Sequence, residues 1–324
     1  MHQTLIHSLR VLTSAALVIA STFSAAQTYP NKPIKVLVGV PPGGSTDGAA
    51  RMYAEWLQES LGQPAYVENR TGANTAVAAE AVARSPADGY TLLLATDALL
   101  AMPLLQKVNF DPFKDFAPIG AFGVQYFVIV VHPSLPVNSV QEFIAYAKAR
   151  PGKLNYGSSG NAGSSHIGVE KFKLVTGLDI VHIPYKGAGP ALTDALAGQY
   201  QMSLWTPTAV SGHVNSGKLR ALALTSPKRV AALPQVPTFA EAGLPAYKHN
   251  VWQAYFAPVG TPKAIIDKLN GEIAKMSNSP KNKAKLDAGG VEPLPLSPEQ
   301  FAEVMRADGV ELAKSIKAAN IKID

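Results

Sequence analysis

The chain has 324 residues, of which 47% are hydrophobic and 16% are charged, and it contains no cysteine. This apolar fraction is too high for a disordered protein and is sufficient for two hydrophobic cores. Without cysteine, the sequence excludes disulfides, thiolate catalysis, cysteine-ligated zinc and iron–sulfur clusters. The net charge of +6 comes from scattered lysines and arginines. Such a distribution is weak support for nucleic-acid binding, and we predict no nucleic-acid partner but a protein that meets anions.

The first 26 residues have the pattern of a secretory signal peptide. Arg10 closes a short polar start, residues 11–20 are apolar, and Ser24-Ala25-Ala26 supplies small residues before a cleavage site predicted after Ala26. The apolar stretch is shorter than the roughly 20 residues that span a bilayer. We therefore expect an exported, freely soluble protein in the periplasm, without stable membrane insertion.

The first part of the mature chain alternates predicted strands and helices. In chain order we predict a strand at 34–38, a helix at 46–61, a strand at 65–68, a helix at 75–84 and a strand at 90–95. Gly62 and Pro64 end the first helix. The strand at 90–95 is almost wholly apolar, which favours burial on both faces in a parallel sheet.

A long β-prone run at 116–131, broken by Gly120 and Gly123, is interpreted as a strand that crosses between two lobes. The alternation then repeats, with a helix at 139–149, a strand at 153–156, a helix at 166–176, a strand at 180–184, a helix at 191–197 that has Pro190 at its start, and strands at 201–205 and 219–225. This pattern predicts an α/β class. The lobes are predicted to comprise residues 27–123 with about 237–324, and about 124–236.

The last part of the chain is predicted to be helical and to cover the core. Apolar residues at helical spacing form one face at Ile265, Ile266, Leu269, Ile273 and Met276. A capping box at Ser297–Gln300, with Pro298 at the first helical position, opens the final helix.

A loop of small residues, Pro41-Pro42-Gly43-Gly44-Ser45-Thr46-Asp47, joins the first strand to the first helix. Its glycines allow close approach of the backbone to a ligand, and the residues that follow suit a helix start. Exposed N–H donors and the positive end of a helix dipole together make an anion site. An ordinary tight turn explains these residues equally well on their own.

Small or hydroxylated residues also follow other predicted strands, at Thr96-Asp97, Gly157–Ser165 and Gly187–Gly189. In open α/β sheets, ligands bind beyond the carboxyl ends of the strands. One set from each lobe would face the other across a cleft, so that two helix N-termini meet one anion. A carboxylate suits such a site because it accepts several backbone N–H bonds.

Catalytic motifs are poorly matched. Gly157-Ser158-Ser159-Gly160 resembles a nucleophile elbow, but its second glycine comes one residue too early for G-x-S-x-G. A secreted hydrolase that uses Ser158 or Ser159 with His166 is kept as the alternative function. The histidines lack paired metal spacing, and no nucleotide-binding motif is present. We predict no catalytic residue, no metal and no cofactor.

Several short motifs follow one another along the mature chain: Tyr29–Ile34, Pro41–Gly44 with Asp47, Val67–Ala73, Asp88–Leu92, His182–Gly187, Pro237–Gly243 and Ala257–Pro262. In this order they resemble the Bug-type solute receptors of the tripartite tricarboxylate transporter family, over nearly the whole mature chain. The resemblance implies a two-lobed, type II-like periplasmic binding protein. Each lobe would be a mainly parallel sheet flanked by helices, and the lobes would close on the ligand by a hinge motion, without catalysis.

The resemblance also implies the ligand and the partners. The ligand would be a small carboxylate, either a di- or tricarboxylate, an acidic amino acid or an aromatic acid. A monomeric receptor would deliver it to membrane transporter subunits through transient contacts, although a sensor that signals is a third alternative. The ligand-binding residues predicted on this basis are Val40, Pro42, Gly44, Ser45, Thr46, Asp47, Ala73, Thr96, Asp97, Ser158, Ser159, Asn161, Ser164, His166, Gly187, Ala188 and Thr206.

One departure from the family pattern bears on ligand choice. The family often has proline and then an aromatic residue before Pro-Pro-Gly-Gly, and here those positions are Gly39 and Val40. If the aromatic residue packs on the ligand, this pocket is roomier there. The hypothesis is therefore a larger or aromatic acid.

Overall fold

The computed structural model describes residues 29–43 and 45–321. The predicted signal peptide and its cleavage after Ala26 lie outside the described residues. The strands are β1 Ile34–Val38, β2 Ala65–Asn69, β3 Thr91–Thr96, β4 Phe116–Tyr126, β5 Val128–Val131, β6 Asn155–Ser158, β7 Val181–Pro184, β8 Met202–Trp205, β9 Arg220–Leu224, β10 Asn250–Pro258 and β11 Val291–Pro293. The helices are α1 Ser45–Leu61, α2 Ala76–Ala83, α3 Ala98–Leu105, α4 Val140–Lys148, α5 Ser164–Thr176, α6 Ala188–Leu196, α7 Pro207–Asn215, α8 Lys263–Asn278, α9 Pro280–Gly289 and α10 Pro298–Ala318.

Two sheets confirm the predicted two-lobed α/β class. The first sheet has the strand order β11-β4-β10-β3-β1-β2, and the second has the order β7-β6-β8-β5-β9. β1 pairs in parallel with β2 and β3, and β6 pairs in parallel with β7 and β8. β5 and β10 run against their neighbours on both sides. These are the two strands that bring the chain into a lobe from the other lobe, so they start at the edge where the parallel strands end.

The predicted crossing strand is confirmed. β4 belongs to the first sheet, β5 belongs to the second, and only Phe127 separates them. The chain returns between β9 and β10, and on the way Phe239 and Tyr247 pack on Phe172 in the second lobe, with ring centroids 5.9 and 5.3 Å from that ring. The lobe limits at 123 and about 237 stay a prediction.

Several element boundaries differ from those predicted. β6 begins at Asn155, two residues late, which brings Ser158 into the end of the strand. α6 begins at Ala188, after Gly187 with φ 110°, so Pro190 is its third residue and not its first. The predicted elements do not include α3, α7, β10 or β11. α3 is apolar on all sides and contains Pro103, so it lacks a helical period.

The C-terminal predictions are confirmed. The face of α8 that carries Ile266, Leu269, Ile273 and Met276 is buried. The capping box at Ser297–Gln300 opens α10 with both of its hydrogen bonds present. These helices cover the first sheet, as expected from their amphipathic pattern.

The core of the first lobe fixes the position of α1. The Tyr53 ring in α1 lies 4.2 Å from the Tyr255 ring in β10, and the Tyr255 hydroxyl donates to the Ala49 carbonyl at 2.9 Å. Both tyrosines are fully buried. Burial of each ring contributes roughly 2–3 kcal/mol to folding. The N-terminal end of α1 is thereby held at the edge of the sheet where the parallel strands end.

Candidate functional site

The loop between β1 and α1 is held by one buried carboxylate. Asp47 is 2% exposed. Its Oδ2 accepts from the Gly43 N–H at 3.0 Å and from Arg51 Nε at 2.9 Å. Its Oδ1 accepts from Arg51 at 3.1 Å and from the Asn69 amide at 2.8 Å. Four donor atoms therefore bind the two carboxylate oxygens. We infer that the role of Asp47 is to hold the loop in place.

Electrostatics keep Asp47 ionised. Burial alone would raise its pKa, but the hydrogen bonds from Arg51, Gly43 and Asn69 outweigh burial and lower the pKa below its ordinary value. The Asn69 amide also donates to the Val40 carbonyl at 3.0 Å. Asn69 thus ties both ends of the loop to β2. The first-turn N–H groups of α1 have no intrahelical partners, as at any helix start.

The segment after Gly72 carries backbone strain beside this loop. Ala73 and Thr75 have φ of 43° and 80°, and positive φ is unusual for a β-branched residue such as Thr75. A Cβ at Gly39 would lie 2.3 Å from the Thr75 Cβ. Thr75 therefore fills the space that the absent side chain at position 39 leaves. Any extra room in a pocket must come from Val40, which is half-buried.

The second loop, between β6 and α5, is closed by hydroxyl groups. Ser165 Oγ accepts from the Ser159 N–H at 3.2 Å and lies 3.3 Å from the Ser159 hydroxyl. Ser158 Oγ accepts from the Gly160 N–H at 3.2 Å. The Gly163 N–H donates to the Gly160 carbonyl at 3.3 Å. These bonds fold the loop so that the first turn of α5 follows directly from it.

The histidine next to Ser158 is not the predicted one. His182 Nε2 lies 2.6 Å from Ser158 Oγ, whereas His166 Nδ1 accepts from the Ala162 N–H at 2.9 Å. The two imidazoles stack with centroids 3.8 Å apart. Sequence spacing favoured His166 because it lies near the serines in the chain, but strand pairing between β6 and β7 brings His182 to Ser158 instead.

The structure brings the second and third loops together. The Gly187 N–H donates to the Ser159 carbonyl at 3.1 Å, and the Tyr185 N–H donates to the Ser158 carbonyl at 3.1 Å. Predicted residues in both loops therefore lie side by side. Thr206, the N-cap of α7, is half-buried, and its hydroxyl lies 3.4 Å from that of Thr208.

Thr96 and Asp97 lie at the carboxyl end of β3, as predicted. Thr96 pairs with Gln253 of β10, and its hydroxyl accepts from the Ala98 N–H at 3.3 Å. Burial raises the pKa of Asp97 to about 7, the charge of Lys171 opposes this change, and the charge of Asp308 reinforces it. Asp97 is therefore partly protonated at neutral pH.

The remaining predicted residues differ in exposure. Pro42, Ala73 and Ala188 are exposed, while Thr46, Asn161 and Ser164 are half-buried. Gly44 lies outside the described residues, and Ser45 is described only as the first residue of α1. Beyond the predicted set, the loops depend on Arg51, Asn69, Thr75 and His182. Asn69 and His182 lie in motifs that the sequence singled out, Val67–Ala73 and His182–Gly187, whereas Arg51 and Thr75 do not.

Two cavities accompany these elements. One of about 570 Å³ lies in the second lobe between α4, α7 and β9, away from both loops. The other, of about 410 Å³, is bordered by Gly48, Ala49 and Met52 of α1, by α9 and by Thr208 of the second lobe. The smaller cavity begins at Gly48, one residue after the first loop, and touches both lobes, but no described residue of the predicted binding set lines it.

Neither a metal site nor a membrane span emerges from the described residues. Within residues 29–43 and 45–321, no group of three or more His, Asp or Glu residues could hold a metal ion. Over the same ranges, no helix is long and apolar enough to cross a membrane.

A family model described as the tripartite tricarboxylate transporter family receptor matches residues 49–321. The match includes the second and third loops and begins just after Asp47. Among individual proteins, BugT of Bordetella pertussis is 39% identical over 302 residues, which cover 89% of this chain and 93% of BugT.

Two solved structures share both the fold and a substantial part of the sequence. R. palustris Rpa4515 with adipate is 35% identical, has a TM-score of 0.83, and covers 91% of this chain and 99% of its own. MatC (Rpa3494) from Rhodopseudomonas palustris with bound malate is 28% identical, has a TM-score of 0.78, and covers 89% of this chain and 100% of its own. Both relatives hold a small carboxylate.

Proposed function

The chain belongs to the tripartite tricarboxylate transporter receptor family, and from this premise we propose that it captures a small carboxylate between its lobes in the periplasm. The observation that carries the proposal is the paired arrangement of α1 and α5. Each helix starts at the carboxyl end of a parallel strand, after a loop in which the Gly43, Gly160 and Ala162 N–H groups are bonded to nearby side chains. The first-turn donors of both helices then remain for one anion.

The proposed binding residues are those predicted from the sequence, with Asp47 assigned to holding the first loop. Direct contact of its carboxylate with an anion would be repulsive, and Arg51 and Asn69 already engage both oxygens. The half-buried hydroxyl groups of Thr46, Ser159 and Ser164 are the side chains best suited to supplement the backbone donors.

Adipate and malate in the related structures support a carboxylate ligand. The cavity of about 410 Å³ beside α1 would receive the rest of the ligand. Its apolar lining includes Met52, Phe122 and Leu286, which favours an acid larger than malonate, including an aromatic one. Tight binding of malonate alone would contradict this choice.

The proposed cycle is capture, hinge closure and transfer to membrane subunits. The lobes are connected by the β4–β5 crossing and by the return into β10, which suits rotation about few backbone positions. We take the lobes as residues 27–123 with about 237–324, and about 124–236. The receptor would act as a monomer, be cleaved after Ala26, and release its ligand chemically unchanged.

A hydrolase remains the second candidate, because Ser158 Oγ lies 2.6 Å from His182 Nε2. However, Ser158 is 1% exposed, and its Oγ also bonds the Gly160 backbone. This environment favours a structural role over attack on a substrate. Ester turnover that disappears in Ser158→Ala would establish the hydrolase instead.

Calorimetry on protein that has been unfolded, freed of co-purified ligand and refolded tests the proposal. Succinate, adipate, malate and benzoate would be titrated separately, and the receptor predicts one site for at least one of these acids. At a ligand concentration 100-fold above the dissociation constant, stability should rise by about 2.7 kcal/mol. Failure of every acid to bind would contradict the proposed function.

A further inference from the structure

Two stacked imidazoles lie beneath the second loop and contact it at different points. His166 and His182 stack with centroids 3.8 Å apart and planes 13° from parallel, and the Tyr156 ring lies 4.8 Å from His182 and 6.3 Å from His166. His166 belongs to α5, and His182 belongs to β7. The stack therefore joins the helix that follows the loop to the strand beside it.

His166 holds the most strained residue of the loop. Ala162 is buried and has a left-handed φ of 57°, a conformation that side-chain-bearing residues seldom adopt. The Ala162 N–H donates to His166 Nδ1 at 2.9 Å. Because a backbone N–H can only donate, Nδ1 must be unprotonated for this bond to exist.

His182 holds the start of the loop through Ser158. Its Nε2 lies 2.6 Å from Ser158 Oγ, and Ser158 Oγ in turn bonds the Gly160 N–H and carbonyl at 3.2 and 3.1 Å. This contact survives in either protonation state, because a protonated Nε2 can donate to the hydroxyl. Sensitivity to protonation is therefore concentrated at His166.

The charged groups around the stack are already paired. Glu170 Oε1 accepts from the Tyr156 hydroxyl at 2.6 Å and from Lys173 Nζ at 2.8 Å. Burial lowers the pKa of His166 to about 4, and the charge of Lys173 adds to this effect. Burial also lowers the pKa of His182 to about 4, and the charge of His166 is the second largest cause of this lowering. The pair is thus neutral at physiological pH.

We propose that His166 and His182 are positioning residues of the binding site, and that His166 holds the second loop in its binding geometry only while its imidazole is neutral. The proposal rests on the proposed function for its effect on affinity, but its effect on the loop does not need a ligand. Release of the Ala162 N–H would let the loop relax toward ordinary φ. The first turn of α5 would then lose its alignment with the anion.

Matched amide substitutions test the geometry. The Asn Oδ1 occupies the place of Nδ1, and the Gln amide reaches the place of Nε2. His166→Asn should keep the Ala162 bond without titrating, and His166→Gln should lose it. His182 contacts Ser158 through Nε2, so His182→Gln should keep this contact and His182→Asn should lose it.

Hydrogen exchange in the ligand-free protein is the first readout. At pH 7, amide protection of residues 159–163 should match the wild type in His166→Asn and fall about tenfold in His166→Gln. As the pH is lowered through about 4, the wild type should lose this protection relative to intrinsic exchange, while His166→Asn retains it. Equal protection in the two His166 variants, or an equal acid response in wild type and His166→Asn, would overturn the proposal.

Calorimetry with the four acids named above is the second readout. His166→Gln should bind whichever acid the wild type binds about tenfold more weakly, and His166→Asn should bind it within about twofold of the wild type. If no acid binds the wild type, the proposed function fails while the exchange result still decides the role of the pair. If acids bind and the two variants do not differ, the inference fails alone.

Discussion

The two loops of the candidate site occupy equivalent places in the two lobes but are held by opposite kinds of group. In the first lobe an ionised carboxylate, Asp47, gathers donors from Gly43, Arg51 and Asn69. In the second lobe two neutral imidazoles accept or share hydrogen bonds with Ala162 and Ser158. Equivalent backbone geometry can therefore be reached with a charge or without one.

This difference separates the pH ranges in which each loop is stable. The pKa of Asp47 is lowered, so its contribution is present above pH 3.8 and is lost as the pH falls below that value. His166 has a pKa of about 4 in the fold and 6.5 in the unfolded chain. The unfolded chain then takes up the proton first, and stability declines as the pH falls from about 6.5 to about 4. Acid should weaken the second loop before the first.

The largest expected effect comes from adding a methyl group at the glycine that precedes or begins each loop. A Cβ at Gly39 would lie 2.3 Å from Thr75, and a Cβ at Gly157 would lie 2.2 Å from the Tyr200 ring. Gly39→Ala and Gly157→Ala should each lower the free energy of unfolding by about 3 kcal/mol, as overpacking does. Urea titration measures this change.

Gly271→Ala is the matched control, because Gly271 lies in α8 with no atom near its Cβ position. It should raise stability by about 0.5–1 kcal/mol through helix propensity. If both loop variants behaved like this control, Gly39 would not pack closely against Thr75, nor Gly157 against Tyr200.

The next effect is the removal of the charge from the first loop. Asp47→Asn replaces one acceptor by a donor that faces other donors, and should lower the free energy of unfolding by about 2–3 kcal/mol. Asp267→Asn removes only an exposed partner of Lys263 and should change stability by less than about 0.5 kcal/mol. Chemical denaturation at pH 7 compares the two, and equal effects would show that Asp47 does not hold the loop.

The acid response of the second loop should be somewhat smaller. Between pH 7 and pH 5, His166 should account for a loss of roughly 1–2 kcal/mol in the free energy of unfolding, because only the unfolded chain becomes protonated. Thermal unfolding of wild type and His166→Asn over this range isolates the contribution. Parallel pH profiles of the two proteins would contradict the assignment of a neutral, buried His166.

The smallest expected effect concerns backbone strain. Ala162→Gly removes the penalty of a left-handed φ and should raise the free energy of unfolding by about 0.5–1 kcal/mol, if His166 still accepts the N–H at that position. Differential scanning calorimetry measures this gain. A loss of stability would mean that the loop is not strained at Ala162.

Local pattern was sufficient to predict most of the fold. Short-range signals from apolar and turn residues predict β1, the crossing run at β4 and β5, and the capping box of α10. α3 was missed because it is apolar on every side and contains Pro103. The predicted start of β6 is two residues too early, because a short strand beside glycine has little pattern of its own.

The loops themselves were predictable, but the groups that hold them were not. Asn69 lies 22 residues from Asp47, and His182 lies 24 residues from Ser158. Such contacts arise from parallel strand pairing, which no local window contains. His166 was favoured over His182 because of proximity in the chain, and strand register decided otherwise.

The two loops are proposed to hold one carboxylate together. A crystal structure of the protein with the tightest-binding acid of the calorimetric panel would show whether both loops contact the ligand. The carboxylate oxygens are expected within about 3 Å of backbone N–H groups in the first turns of both helices, at residues 45–47 and 164–166. A ligand bound instead in the cavity of about 570 Å³ between α4, α7 and β9, or held by one loop alone, would contradict this proposal.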